Sequence, residues 1–551
     1  MIFGGMRPSR GTDVLAVGEA QLAQNVRLSA GELRPLNGLL ANITLTSGGT
    51  VRSVYRFGQA LSSISQYWFQ ATTDTDFVKG PVANDTSERT YWTDWNGTTG
   101  YPKKTDATLA TVSTPYPSSS YAMGLPAPAA APTVSVSGTA TNAADPGEAV
   151  VYVYTYVSAW GEEGPPSQPS SVVTWRAGQT LNVSGLSVAP GTGPQNQNYS
   201  VNGKRLYRSA TGSQATQYQL TNTGVGATIP LATTTYTDTS LTAALGDVLS
   251  TLGWIEPPYN MQGLCAGSNG VMAGFAGNTV CFSVPFAPYA WPLRYQQATD
   301  AIIVGIAWID QTLFVGTTMG LYMYACTDPA NVSGGKLPVV QSVVSKRSIV
   351  AMRGAILFAS SDGLYSIDAS GVPANLTAGI MTRADWQAYA PASITAFESD
   401  DRYVAFYDNG VVQASLVFSF GASPSFTQSD VYATAGYRDK KSASLFVVEG
   451  GGYNLKHYDA GSPLTYTWTS GVLPQPSDTN AAAAMVVATA YPVTFSLYAD
   501  GVLVGTPTTV TSRYPFRLPS GYRTSRYHIR LSGSSNVHKV ELASSMSLLG
   551  Q

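Results

Sequence analysis

A chain of 551 residues is long enough for roughly two to four separate cores, yet only 12% of its residues are charged, about half the usual share. With 54 glycines and 33 prolines, that balance excludes a disordered, highly charged chain and fits stacked β-sheets joined by tight turns, a composition suited to life inside an assembly. A formal net charge of −2 excludes a global attraction to nucleic acid or anionic membrane, so any such contact needs a local patch.

In chain order, MIFGGMRPSRGTDV places Gly-Gly and two arginines where an export signal needs an apolar core, so assembly in a reducing cytoplasm is expected. Residues 1–45 are irregular but carry spaced apolar anchors, among them Leu15, Leu22, Val26, Leu33 and Leu36, and are expected to lie along another surface. Within them Glu19 to Asn25 reads as one short helical turn, and VRLSAGELRPL reads as a hairpin around Ser29 to Gly31. Residues 46–113 hold aromatic strands (SVYRF, SQYWFQATTD, FVKGPV, RTYWTDW) that read as the first strands of the repeat described below. From Thr114 to Pro132 a Pro-, Ser- and Ala-rich stretch reads as a semi-rigid extended linker.

Residues 132–245 differ in composition. VVYVYTYVS alternates, placing Tyr152, Tyr154 and Tyr156 on one face and Val151, Val153 and Val157 on the other. Together with the hairpin KRLYRSATGSQATQYQL, this segment resembles a fibronectin type III or immunoglobulin-like sandwich inserted into the chain. Glu162 and Glu163 read as a solvated turn, since no histidine or further carboxylate lies nearby in sequence.

Residues 258–461 repeat themselves. Five times an apolar strand, a Gly or Asp turn and an aromatic-rich strand recur, anchored at Val271, Leu313, Ile356, Tyr403 and Leu445 with offsets of about 42, 43, 47 and 42. That period is the one expected of four-stranded propeller blades, so the fold class is all-β: a β-propeller with the inserted sandwich and a C-terminal β-sandwich over 462–551. A set of ordinary hairpins in a large sandwich is the alternative. The continuous apolar runs Leu313, Phe314, Val315 and Ile356, Leu357, Phe358 read as innermost strands, buried on both faces. Cys265, Cys281 and Cys326, an odd count, read as free thiols, with Cys265 and Cys281 the pair that adjacent strands could bring together. In the last segment Asp500-Gly501 reads as a type I′ hairpin turn.

The chain shows no H-E-x-x-H, G-x-S-x-G or phosphate-loop motif, and His457, His528 and His538 are dispersed. No catalysis, metal or cofactor is expected. Glu398, Asp400, Asp401, Asp385 and Asp300 are candidates for a glycoside-cleaving pair only if the fold gathers them. The strongest charge asymmetry is Arg513, Arg517, Arg523, Arg526, Arg530 and Lys539, with no acidic residue until Glu541. It reads either as protected strand edges or as an assembly interface, to which Trp291 and Pro292, in a Pro-rich loop, are added.

Three segments carry a family resemblance. GGMRPSRGTDVLAVGEAQLAQNVRLSAGELRPLNG is similar to the opening of tail nozzle proteins of short-tailed bacteriophages, also called tail tubular protein B. The run ending Ser283, Pro285, Pro288, Ala290, Trp291, Pro292 resembles a loop of phage virion proteins, with Val284 where an acidic residue is usual. RLPSGYR at Arg517 and VELASSM at Val540 resemble their C-terminal part. The resemblance implies a propeller, a structural role in the virion tail and a homo-oligomer, namely a hexameric ring around a channel through which double-stranded DNA passes. It implies a tail adaptor and fibre or tip proteins as partners, and no membrane-spanning segment is read. The alternatives are a minor tail or baseplate protein of a longer-tailed phage, and a glycan-binding or glycan-cleaving propeller at the host surface.

Overall fold

A computed structural model describes residues 3–28, 31–59, 66–210, 216–220, 228–420 and 424–549. The short alternating and apolar runs become strands nearly throughout: the described residues are 44% strand and 5% helix, so sheet packing builds the cores.

Outside the insert, among the described residues, seven strands lead the sheets between residues 53 and 457. They are β1 (Ser53–Phe57), β2 (Asp76–Lys79), β3 (Gln262–Ala266), β4 (Ile303–Ile309), β5 (Val350–Met352), β6 (Thr395–Ser399) and β7 (Ala433–Asp439). β3, β4 and β5 each begin a four-stranded antiparallel meander, over residues 262–298, 303–336 and 350–375. β2 begins another, and β1 pairs with Tyr67–Ala71. β7 heads a sheet whose fourth strand comes from the other end of the chain, Leu40–Thr44 pairing antiparallel with Asn454–His457.

The leading strands touch in succession, β2 on β3, then β4, β5, β6 and β7, and β7 on β1. Tyr55 of β1 stacks on Phe77 of β2 at 5.8 Å between centroids, which completes the round. The strands run in one sense. Their leading ends meet where Asp76 accepts from the Gly263 amide and Arg347 reaches Ser53, and their trailing ends meet where Gln59 donates to Asp439.

The apolar runs at Leu313 and Ile356 are not innermost. They belong to the second strands, Thr312–Thr317 and Ala355–Ala359, which are hydrogen-bonded on both edges and covered on both faces, leaving these six residues at most 4% exposed. Leading strands line a cavity instead, and some carry polar residues into it, as SVYRF of β1 and ATAGYRD of β7 do.

Residues 20–24 are a strand, not a helical turn. Ala20–Gln24 pairs antiparallel with Tyr466–Ser470 and runs parallel beside Gln428, burying Ala20 and Ala23; sheet insertion overrides a weak local helix preference. The strand joins the β6 sheet to the C-terminal one, making an eleven-stranded sheet. Val26–Arg27 pairs with Arg34–Pro35 as a hairpin, while its expected tip at Ser29 and Ala30 lies outside the described residues.

The stretch read as a linker is partly built into the fold. Tyr121–Ala122 is the fourth strand of the β2 sheet, and Met123 and Leu125 are buried. A Cβ on Gly124 would lie 2.5 Å from the Pro257 ring, so the chain enters and leaves the insert side by side. The insert itself centres on Tyr152, Tyr154, Tyr156, Trp175, Leu181 and Leu206. Its valine face is buried as well, Val153 packing on Tyr207 and Leu249.

At the C-terminus β8 (Tyr466–Ser470), β9 (Val493–Ala499) and β10 (Thr524–Gly533) lie in the large sheet, and Ala483–Ala488 pairs with Phe516–Arg517 and Val537–Ala543 in a second. One core runs from Trp468, Phe495 and Ile529 through Phe3 and Met6 to Trp386 and Tyr403. Asp500 and Gly501 have φ of 46° and 82°, the left-handed pair that a type I′ turn needs.

Candidate functional site

β10 alternates cleanly. Tyr527, Ile529 and Leu531 point into the core, while Arg526, His528 and Arg530 line the opposite face. His528 stacks on Tyr498 of β9 with centroids 4.4 Å apart, and the Arg530 guanidinium lies 5.4 Å from the same ring while its Nε donates to Thr469 Oγ1 at 3.2 Å. Burial, and then the charge of Arg530, hold His528 below its ordinary value.

The other predicted basic residues scatter. Arg517 and Lys539 sit on the second sheet, Lys539 paired with Glu541 at 2.6 Å, whereas Arg513 and Arg523 are exposed in loops. Among the described residues Arg513, Arg517 and Arg523 have no ion partner. Arg526 does: it pairs with Asp13, a carboxylate over 500 positions earlier, so the asymmetry along the sequence is partly compensated in space.

Trp291 and Pro292 are both buried, which removes them as an exposed interface. The indole is fully sealed against Tyr91, Met123 and Met261, and its Nε1 donates to the Pro288 carbonyl at 2.7 Å. The rigid loop packs against a neighbouring part of the same chain.

Glu162 and Glu163 are likewise no solvated turn. Glu162, 4% exposed, pairs with Lys104, and Glu163 accepts from Thr155 and Tyr207 at 2.6 Å each and pairs with Arg205. The signal missed was that their cations lie on other strands. Four of the five carboxylates considered for glycoside cleavage are engaged with different partners: Glu398 with Arg438, Asp400 with Arg27, Asp300 with Lys336 and Tyr322, and Asp385 in a helix capping box with Thr382. Asp401 donates its amide to Glu398.

A second site has no signature in the sequence. The leading strands enclose two overlapping cavities of about 840 and 580 Å³ that share Asp76, Leu264, Arg347 and Arg438. At the leading end an ion cluster crosses between sheets: Lys346 Nζ meets Asp76 at 2.6 Å and Asp74 at 3.2 Å, while Arg347 pairs with Asp74 and donates to the Thr75 carbonyl at 2.9 Å. Burial acts to raise the Asp74 carboxyl, but Arg347 and Lys346 outweigh it and hold the group below its usual value.

Among the described residues no group of three or more His, Cys, Asp or Glu side chains could hold a metal ion, and no helix is long and apolar enough to cross a membrane. The three cysteines are free, and burial pushes the Cys281 thiol up to about 12.

No family model and no curated protein matches the chain. Among solved structures, the extracellular domain of a one component system from B. thetaiotaomicron is 11% identical over 64% of this chain, with a TM-score of 0.26; the chain covers 42% of its length. The N-terminal domain of Nup159 is 9% identical (51% of this chain, 91% of that one, TM-score 0.24). PorZ, a surface component of the type-IX secretion system of Porphyromonas gingivalis, is 9% identical (90% and 82%, TM-score 0.25). Likenesses this low carry no argument about fold or function.

Proposed function

We propose that the seven sheets are blades of a β-propeller carrying an immunoglobulin or fibronectin III-like insert and a C-terminal sandwich, and that the chain is a structural protein of a bacteriophage tail. It acts as a nozzle-like ring subunit around the path of DNA ejection. The blade reading is supported by the round of contacts among leading strands of one sense and by the use of Leu40–Thr44 as an outer strand of the last sheet, which ties the chain's two ends together.

The observation that carries the tail reading is the place of the N-terminal segment. The stretch whose sequence resembles the nozzle opening, Gly4 to Gly38, is woven through the molecule: the Gly4 carbonyl accepts from Trp468 Nε1 at 3.1 Å, and Ala20–Gln24 bridges two sheets. A loose motif on a peripheral tail would mean little; this one specifies how the chain ends are joined.

In this reading the protein is not an enzyme. Its partners are further copies in a ring of six, a tail adaptor and fibre or tip proteins, with double-stranded DNA passing transiently. The face of β10 that presents Arg526 and Arg530, with exposed Arg523 nearby in sequence, is the docking surface, where guanidinium forks meet carboxylates. Electron cryomicroscopy of intact particles tests the reading. Six copies in a ring at the end of the tail are expected; this chain on the capsid, in fibres, or as single copies would overturn it.

A further inference from the structure

The chain as a whole is slightly acidic, with 31 basic and 33 acidic residues, but the walls of the central cavities carry eight basic side chains against three acidic ones. Asp76 is committed to the ion cluster at the leading end and Glu398 to Arg438, and the third carboxylate, Glu88, is buried at 3% exposure, its charge acting on Tyr55 and Tyr437. The trailing end is different. Lys79, at the end of β2, and Lys440 and Lys441, in the turn after β7, have no ion partner among the described residues. Arg56 beside them is held by Gln66, at 2.6 and 2.9 Å, and by the face of Trp68, with no carboxylate.

The turn that presents the two lysines is fixed. Buried Asp439 accepts from the Lys441 amide at 2.8 Å, from Gln59 Nε2 at 2.8 Å and from Ser442 at 2.9 Å. Like charges gathered on one concave wall repel one another and focus a positive potential into the cavity. A multivalent anion would relieve that repulsion and take charge-assisted hydrogen bonds from several sides at once.

We propose that this central cavity binds a compact ligand carrying two or more phosphate or sulfate groups, held between Lys79, Lys440, Lys441 and Arg56 at the trailing end. About 840 Å³ suits a small polyanion. A duplex, whose major groove alone is about 12 Å wide, does not fit. The site is independent of the tail assignment.

The test uses the purified full chain. Inorganic tripolyphosphate and a trisulfated disaccharide are titrated separately, at ionic strength matched with potassium chloride, and followed by thermal unfolding and calorimetry. A saturable rise in Tm in either arm is expected, and the arm that responds says whether phosphate or sulfate is the preferred group. Lys440→Gln/Lys441→Gln should weaken binding by about tenfold or more. Arg383→Gln, which removes a charge from the exposed helix Arg383–Gln387 outside the cavity, should leave it unchanged. Both lysines are exposed, so the double variant should fold, and Lys79→Gln provides a second reading. No saturable shift in either arm, an unchanged affinity in the lysine variants, or an equal loss in Arg383→Gln would overturn the proposal.

Discussion

Lys104 and Glu162 form an ion pair sealed from water, their side chains 0% and 4% exposed, one on the third strand of the β2 sheet and the other in the inserted unit. Burial lowers the Lys104 ammonium pKa, and the facing carboxylate opposes that shift. Because each charge is solvated mainly by the other, the pair acts as a lock between the two parts.

Removing one partner should therefore cost far more than removing both. Glu162→Gln is expected to destabilise by about 3–5 kcal/mol, since it strands a buried ammonium, whereas Lys104→Met/Glu162→Leu should cost much less. Denaturant unfolding of the three chains decides it. Equal losses in the single and double variants would mean the pair is not desolvated.

The inserted unit has its own aromatic core and a fully buried pair, Arg208 with Asp238 at 2.7 Å, capped by the Tyr152 hydroxyl donating at 2.6 Å. A fragment of residues 132–245 is expected to melt cooperatively, with Glu162 returned to water. Calorimetry of the fragment lacking any transition would place its boundary elsewhere.

Phe3 is 2% exposed at the junction of the N-terminal segment with Trp468, whose Nε1 donates to the Gly4 carbonyl at 3.1 Å. Phe3→Ala should destabilise this shared core by about 3–5 kcal/mol. The shift should appear in the denaturant transition followed by tryptophan fluorescence; an unchanged midpoint would mean the segment is only loosely docked.

Replacing Arg523, Arg526 and Arg530 together by alanine should leave the monomer folded. The pair Arg526–Asp13 is 52% and 56% exposed, so its loss costs at most about 1 kcal/mol. Assembly into rings or tails should fail or slow markedly. Normal assembly at physiological salt would return these arginines to the role of protecting strand edges.

The lowered His528 means that the unfolded chain takes up this proton first. Its contribution to stability is complete above pH 6.5 and is lost as pH falls from there through the lowered folded value. His528→Gln should flatten the dependence of the unfolding midpoint below pH 6.5 relative to the parent chain. Parallel curves would show that the stacked imidazole is not desolvated.

What the amino-acid sequence determined by itself is local. Period-two alternation made Tyr152 to Val157 and Tyr527 to Leu531 strands, a Gly after Asp500 set a left-handed turn, and recurring apolar runs announced repeated sheets. These follow from forces acting over a few residues. The tertiary structure decided everything that depends on a distant partner. It made Leu313 to Val315 a second strand, because only packing on both edges and both faces buries such a run. It drew Ala20–Gln24 out of a helical turn, paired Leu40–Thr44 with Asn454–His457, set Asp13 against Arg526 and sealed Glu162 against Lys104. The basic cavity belongs to the same class: Lys79 and Lys441 are more than 360 positions apart, and a potential that sums charges from several sheets leaves no mark on any one of them.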